Sequence, residues 1–179
     1  MNKTGILLFI CIITFSCKAP EARKPETVKS GTFIKASAQR NKKRNQAEIE
    51  QIKQYIDLQG GKTFVASKNG FWYAQDTLSN VPEAKTPVFS DIVNFDYNVS
   101  NLNGTLIYSK LELGNNNYAM DQEALFSGLR EGLKLMRAGD TYTFIFPSQK
   151  AYGYYGDENK IERNTPLISQ VTVNSITTK

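Results

Sequence analysis

The chain has 179 residues, with 22 Lys or Arg against 17 Asp or Glu and a formal net charge of +5. It contains no histidine, which excludes His-based acid–base catalysis and most zinc sites. Its two cysteines, Cys11 and Cys17, lie near the N-terminus, so the rest of the chain has no thiol for a disulfide or for redox chemistry. The length fits one domain with additional segments.

Residues 1–16 have the pattern of a signal peptide. Lys3 supplies a positive start, and residues 5–15 form an apolar run that is too short to span a bilayer as a stable helix. Ser16 and Cys17 follow at the point where a signal peptidase would cut. A small residue before a cysteine, after an apolar run, is typical of a bacterial lipoprotein. The alternative is an ordinary secretory signal with an incidental cysteine.

Residues 17–45 are predicted to form a flexible, basic tether. Pro20 and Pro25 interrupt the segment, and it shows no apolar periodicity. Nine Lys or Arg and two Glu lie between Lys18 and Arg44, so the excess positive charge of the chain is concentrated here. Such a run would lie against anionic lipid head groups. A nucleic-acid interface is not favoured, because the basic cluster 40–44 has no interleaved aromatic residues and the leader exports it.

A helix is predicted for residues 46–61. Ile49, Ile52 and Ile56 fall on one side, and Gly60 and Gly61 end the pattern. An amphipathic face this short needs a surface to bury against. The helix is therefore expected to pack on the domain, to extend the tether, or to bind a partner.

The segment from Lys62 to Lys179 reads as a folded domain that begins with short strands. Two strands are predicted at 63–66 and 70–74, around an Asn69-Gly70 hairpin turn. Residues 92–99 alternate, which places Val93, Phe95, Tyr97 and Val99 on one face. A returning strand is predicted at 105–113, after a turn at 101–104.

A short helix and two long strands follow. Leu125, Leu129, Leu133 and Met136 share one helix face, with Gly139 as a stop signal. In the strand at 141–146 the residues Tyr142, Phe144 and Phe146 point one way, and in the last strand at 167–176 Ser169, Val171 and Val173 point inward. The pattern predicts an α+β domain in which an antiparallel sheet curls over one helix.

The region from Leu125 to Ile176 resembles the FKBP-type peptidyl-prolyl isomerases. Its first run, Leu-Phe-Ser-Gly-Leu-Arg-Glu-Gly-Leu, is similar to the family's Val-Ile-x-Gly-Trp-x-Glu-Gly-Leu, and Gly139-Asp140, Ala151-Tyr152-Gly153, Gly156 and Ile161 follow in step. The resemblance implies an FKBP-like fold and a pocket for proline. Rotation about an X-Pro bond needs no nucleophile, so the missing histidine is no obstacle.

The resemblance also implies roles for individual residues. Catalysis would involve the Tyr152 hydroxyl, the Phe126 backbone N–H and Leu129 as the pocket floor, with no cofactor and no metal. The pocket sides would be lined by Tyr97, Ile107, Leu125 and Ile161. Four positions depart from the family: Leu129 stands for Trp, Ile107 for Phe, Tyr108 for Asp and Ser169 for an inward aromatic residue. These changes predict a wider pocket with weak isomerase activity or none.

The whole chain, leader included, is most similar to the gliding-motility-associated FKBP-type lipoproteins. That similarity implies cleavage before Cys17 and lipid attachment to it, which would hold the domain in the cell envelope, facing the periplasm. Lys18-Ala19 lacks the Asp of inner-membrane retention, which favours the outer membrane. The expected partners are exported polypeptides that contain proline, the membrane and envelope motility proteins, but no nucleic acid. The alternative is a non-catalytic binding or structural lipoprotein in an envelope complex.

Overall fold

The computed structural model describes residues 30–80 and 84–178. The predicted signal peptide at 1–16, the predicted lipid site at Cys17 and the first part of the tether lie outside the described residues. The chain divides into two compact units, Met1–Ser37 and Ala38–Lys179. The second unit contains the sheet and every residue that was predicted for the pocket.

The first described element is a long helix, α1, at Ser30–Leu58. The prediction of a flexible tether up to residue 45 was wrong for residues 30–45, which are helical. No proline lies between Ser30 and Leu58, and Ala, Gln, Lys and Arg are strong helix formers, so high local propensity outweighed the charge pattern. None of the helices in the described part of the chain has the length and apolarity that crossing a membrane requires.

Eight antiparallel strands form a single sheet. The strands are β1 Val65–Ala66, β2 Trp72–Thr77, β3 Ile92–Tyr97, β4 Val99–Asn101, β5 Leu106–Tyr108, β6 Asn116–Ala119, β7 Thr141–Phe146 and β8 Leu167–Thr177. Six of them lie in the order β1-β2-β7-β8-β3-β6, while β4 pairs with β8 and β5 pairs with β4. Two short helices, α2 at Lys110–Leu113 and α3 at Ser127–Leu133, and a 3₁₀ turn at Ser148–Lys150 lie between strands.

The inner face of the sheet packs against α3. The predicted strand parities are confirmed, because Phe95, Phe144 and Val171 are buried in the core together with Leu129 and Leu133 of α3. The predicted α+β class, an antiparallel sheet curled over one short helix, is confirmed as well. Apolar residues at every second strand position supply one wall of this core, and the apolar helix face supplies the other.

The second half of α1 packs on the domain just after the end of β7. Ile145 alternates with Phe144 and Phe146, so it points to the opposite face, yet it is fully buried and outside the main core cluster. Ile52 of α1 is also fully buried, and Glu48, one turn earlier, bonds to Ser148 just after β7. Of the three alternatives for this helix, packing on the domain is the one that the structure shows.

Two elements are shorter than their sequence patterns predicted. The returning strand expected at 105–113 ends at Tyr108, because Ser109 caps α2 by accepting a 3.1 Å hydrogen bond from the Glu112 N–H. The helix face that runs to Met136 leaves the α-helix after Leu133. Gly139, expected to stop that helix, instead adopts a φ of 89° in the turn before β7.

A glycine lets α3 approach the end of β7 closely. A Cβ atom on Gly128 would lie 2.5 Å from the Phe146 ring and 2.8 Å from the Lys150 carbonyl oxygen. These distances are too short for a side chain, so the helix backbone itself packs on the strand end. The contact places Phe126, at the start of α3, beside the loop that follows β7.

Candidate functional site

The residues predicted to form a pocket all belong to the hydrophobic core of the domain or pack against it. They lie on β3 and β5, around the start of α3 and in the long loop between β7 and β8. These residues, the candidate cluster, are Tyr97, Ile107, Tyr108, Leu125, Phe126, Leu129, Tyr152 and Ile161. The rings of Phe126 and Tyr152 pack directly against each other, and the catalytic and binding roles of the cluster stay predictions.

The accessible part of this cluster is smaller than the sequence predicted. Leu129 has no exposed surface, and Ile161 and Tyr97 are 3% and 8% exposed. Ile107, Leu125, Phe126 and Tyr152 are half-buried and provide the surface that a ligand could touch. The predicted floor residue Leu129 is therefore not accessible to water, and the width of the pocket stays a prediction.

Tyr152 presents a hydroxyl group that has no hydrogen-bond partner in the described part of the chain. Its ring packs on Phe126 with the ring centroids 5.3 Å apart, and Phe126 makes an edge contact with Phe146 at 5.3 Å. Within residues 30–80 and 84–178, no hydrogen bond satisfies the Tyr152 hydroxyl. Burial, with smaller contributions from Tyr97, Asp157 and Tyr108, raises the pKa of Tyr152 to about 12. The hydroxyl therefore remains a proton donor over the whole neutral range.

Two further donors in the cluster are unused by the described residues. The Tyr97 hydroxyl makes no hydrogen bond to any of them, and burial, reinforced by Tyr108, raises the pKa of Tyr97 as well. The backbone N–H of Phe126, at the N-cap of α3, also donates to none of them, and no side chain caps this helix end. Neither tyrosine hydroxyl is sealed from solvent, so water or a ligand can accept from these donors.

Asp157 was not predicted as a site residue, yet it bonds to one wall of the cluster. The Tyr108 hydroxyl donates a 2.5 Å hydrogen bond to Asp157 Oδ2, and Asn159 Nδ2 donates to the same hydroxyl at 3.0 Å. The carboxylate as acceptor raises the pKa of Tyr108. Burial alone would raise the pKa of Asp157, but the hydrogen bonds from Tyr108 and from the Ile161 and Asn159 backbone N–H groups hold it below its usual range.

The second oxygen of Asp157 shapes the loop that carries Ile161. Asp157 Oδ1 accepts hydrogen bonds from the Ile161 N–H at 2.7 Å and from the Asn159 N–H at 3.0 Å. Gly156 precedes this turn with a φ of 73°, and a Cβ atom there would overlap the Ile161 carbonyl oxygen. Gly-Asp inside a long loop is the sequence signal that could have indicated this turn.

The model of the family of FKBP-type peptidyl-prolyl cis-trans isomerases matches residues 83–174, which is half of the chain. The chain belongs to this family. A protein of Neisseria meningitidis serogroup B, named as a probable FKBP-type peptidyl-prolyl cis-trans isomerase FkpA, is 30% identical over 138 residues. That alignment covers 76% of this chain and 47% of the relative, so the chain matches about half of the relative's length.

Solved structures of FKBP-type proteins share the fold. The crystal structure of FkpA from Escherichia coli superimposes with a TM-score of 0.61 at 20% identity, covering 99% of this chain and 83% of that one. A peptidyl-prolyl cis-trans isomerase from Pseudomonas syringae pv. tomato gives a TM-score of 0.57 at 18% identity, covering 74% of this chain and 96% of that one. At these identities the likeness establishes the FKBP architecture and nothing about substrate.

Asp157 reaches Tyr108 from a different element of the fold. The sequence resemblance predicts that Tyr108 on β5 stands where the family has Asp, and in the structure Asp157 bonds to that tyrosine from the loop before β8. A carboxylate is thus hydrogen-bonded to Tyr108, one residue of the cluster. By contrast, the inward position of Ser169 is filled without an aromatic ring, because the Ser169 hydroxyl donates a 2.6 Å hydrogen bond to the Asn98 carbonyl oxygen.

A separate cavity of about 750 Å³ lies away from this FKBP-type site and contains none of its residues. Its charged groups are already paired, because Lys62 Nζ lies 2.7 Å from Asp76 Oδ1 and the Thr143 hydroxyl donates to Asp76 Oδ2 at 2.6 Å. Burial would raise the pKa of Asp76, but hydrogen bonds from Lys62, Thr143 and Gln170 lower it. This cavity is a polar recess in which the Lys62 and Asp76 charges pair with each other.

Proposed function

We propose that this chain catalyses the cis–trans isomerisation of X-Pro bonds in exported polypeptides. One observation carries the proposal: in an otherwise apolar cluster, the Tyr97 and Tyr152 hydroxyls and the Phe126 N–H have no hydrogen-bond acceptor among the described residues. A peptide backbone offers carbonyl oxygens to such donors, and a proline ring offers an apolar group to the surrounding side chains.

The proposed mechanism requires positioned donors and exclusion of water. The barrier to rotation, about 18–20 kcal/mol, arises from the partial double bond of the amide. An apolar surface disfavours the charge-separated resonance form that stiffens this bond, because water solvates that form better. The Tyr152 hydroxyl and the Phe126 N–H would hold the substrate carbonyls while the proline ring turns, and only contacts that strengthen in the twisted state increase the rate.

A proline tetrapeptide turnover assay with the full chain in detergent tests this proposal. We expect Tyr152→Phe to lower kcat/KM about 5- to 10-fold, since one hydrogen bond is worth about 1 kcal/mol. Tyr155→Phe is the matched control, because Tyr155 lies in the same loop and is 79% exposed. Equal turnover by the wild type and Tyr152→Phe would contradict a role for this hydroxyl.

A non-catalytic binding protein is the second candidate, and the burial of Leu129 favours it. The family's Trp position is occupied here by a side chain with no accessible surface, so the site lacks an exposed floor. The same assay separates the two functions. Proline-peptide binding without turnover, with binding weakened by Tyr152→Phe, would establish the binding function.

The cellular setting belongs to the same proposal. The leader pattern and Cys17 support a lipid-anchored protein of the cell envelope that faces the periplasm, and the outer membrane is favoured. Mass spectrometry of the mature N-terminus should find an acylated Cys17, and an unmodified Cys17 would refute the anchor.

A link to gliding motility is supported by the resemblance of the whole chain. We expect a strain carrying Tyr152→Phe to glide more slowly than one carrying Tyr155→Phe.

A further inference from the structure

We infer that Glu48 of α1 is a positioning residue for Tyr152. Through this residue, α1 contributes to the geometry of the isomerase site. The inference rests on the proposed function in one respect, namely that the Tyr152 hydroxyl contacts the substrate. Glu48 itself lies outside the apolar cluster, and it acts through the backbone of the loop that follows β7.

Glu48 and Ser148 form a buried side-chain clamp. The Ser148 hydroxyl donates a 2.7 Å hydrogen bond to Glu48 Oε2, and the Ser148 backbone N–H donates to Glu48 Oε1. Glu48 is 6% exposed and Ser148 is 3% exposed, so water competes poorly for these bonds. Both oxygens of one carboxylate are therefore committed to a single residue at the start of the loop.

The Ser148 carbonyl links the position of Ser148 to the backbone around Tyr152. It accepts hydrogen bonds from the Ala151 N–H at 3.0 Å and from the Gly153 N–H at 2.8 Å. These two amides flank Tyr152 on either side, so the position of its backbone follows the Ser148 peptide. A further bond, from the Asn164 N–H to the Gly153 carbonyl at 2.7 Å, ties the other side of the turn to the segment that leads into β8.

Neighbouring residues of α1 hold Glu48 in place. Ile52, one turn later on the same helix face, is completely buried, and Asn45, one turn earlier, donates to Gln149 Oε1 at 3.3 Å. The helix therefore contacts the start of the loop along two consecutive turns, and the next turn carries the buried Ile52. A carboxylate is well suited to the central turn because it can accept from the Ser148 N–H and hydroxyl at the same time.

The test compares Glu48→Ala, Glu48→Gln and the control Glu50→Ala in the full chain. Glu50 is on the same helix but pairs with Lys53 on the surface. We expect Glu48→Ala to lower kcat/KM about 10-fold and to shift the side-chain resonance of Tyr152 in ¹³C-tyrosine-labelled protein. Glu48→Gln should restore both readouts, because its amide can accept from the Ser148 N–H and donate to the Ser148 hydroxyl. Glu50→Ala should match the wild type.

A loss of thermal stability in Glu48→Ala with unchanged kcat/KM and an unchanged Tyr152 resonance would overturn the inference, since Glu48 would then only stabilise the fold. If Glu48→Ala does not fold, Ser148→Ala removes one of the two clamp bonds and should shift the same resonance, and the absence of a shift would be equally decisive. If the wild type shows no turnover, the proposed function fails, but the Tyr152 resonance still reports whether Glu48 sets its position.

Discussion

The Tyr108 hydroxyl and the Asp157 carboxylate are joined by a hydrogen bond of 2.5 Å that connects β5 to the loop before β8. The sequence resemblance predicts that Tyr108 replaces the family's Asp, and the structure shows an acidic group from another element bonded to this tyrosine. Because the other oxygen of Asp157 holds the Ile161 N–H, this one carboxylate orders both the strand and the loop. With Glu48 at the start of that loop, acidic side chains hold it at two separate points.

The Tyr108–Asp157 bond should be measurable as a coupling energy. We expect a double-mutant cycle of Tyr108→Phe and Asp157→Ala, followed by chemical denaturation, to give about 1–2 kcal/mol, because a hydrogen bond to a charged acceptor is stronger than a neutral one. Glu158→Gln replaces Asp157→Ala in the control cycle, since Glu158 is the exposed acid next in sequence. A coupling energy of zero in the first cycle would mean that the Tyr108–Asp157 bond adds nothing to the free energy of unfolding beyond what water bonded to the two groups would give.

Features that depend on residues close together in the sequence could be predicted, whereas contacts between residues far apart in the sequence could not. The alternation around Phe144 and the Ala-Tyr-Gly segment around Tyr152 are local patterns, and they predicted the sheet faces and the candidate donor. The contact of Asp157 with Tyr108 spans 49 positions and depends on the path of a loop that no periodicity describes. Residues 30–45 of α1 were missed because the basic charge and the nearby Pro20 and Pro25 suggested a spacer, whereas the high helix propensity of these residues decided the outcome.

Alkaline titration should single out Tyr152. The pKa of Tyr152 is raised to about 12, whereas an unfolded tyrosine titrates near 10. Its contribution to stability is therefore fully present below about pH 10 and is lost as the pH rises to about 12, since the unfolded chain releases this proton first. Tyr152→Phe should remove the ultraviolet phenolate step near pH 12 and flatten the decline of unfolding free energy between pH 10 and 12. Persistence of that step in Tyr152→Phe would assign it to another tyrosine, and Tyr155→Phe should leave it unchanged.

A substitution of Gly128 tests whether the close contact between the α3 backbone and the end of β7 is needed for stability. Helix propensity alone predicts that Gly128→Ala stabilises the protein by up to about 1 kcal/mol. The added Cβ would lie 2.5 Å from the Phe146 ring, and overpacking of this kind costs about 1–3 kcal/mol, so we expect net destabilisation. Gly61→Ala is the control, because a Cβ atom there meets nothing within 4 Å. Unfolding in urea measures both, and a more stable Gly128→Ala would show that the helix can move away without cost.

The packing of α1 on the sheet predicts that the domain depends on this helix for stability. Ile52 is completely buried on the face that carries Glu48, so Ile52→Ala should lower the free energy of unfolding by about 2–4 kcal/mol through lost burial and the cavity left behind. Leu58→Ala is the matched control on the same helix, because Leu58 is 82% exposed and its truncation should change stability by less than about 0.5 kcal/mol. A chain that begins at Lys62 should be destabilised at least as much as Ile52→Ala, since it also loses the hydrogen bonds between Glu48 and Ser148. Equal stabilities of the wild type and Ile52→Ala would mean that burial of Ile52 adds no stability to the domain.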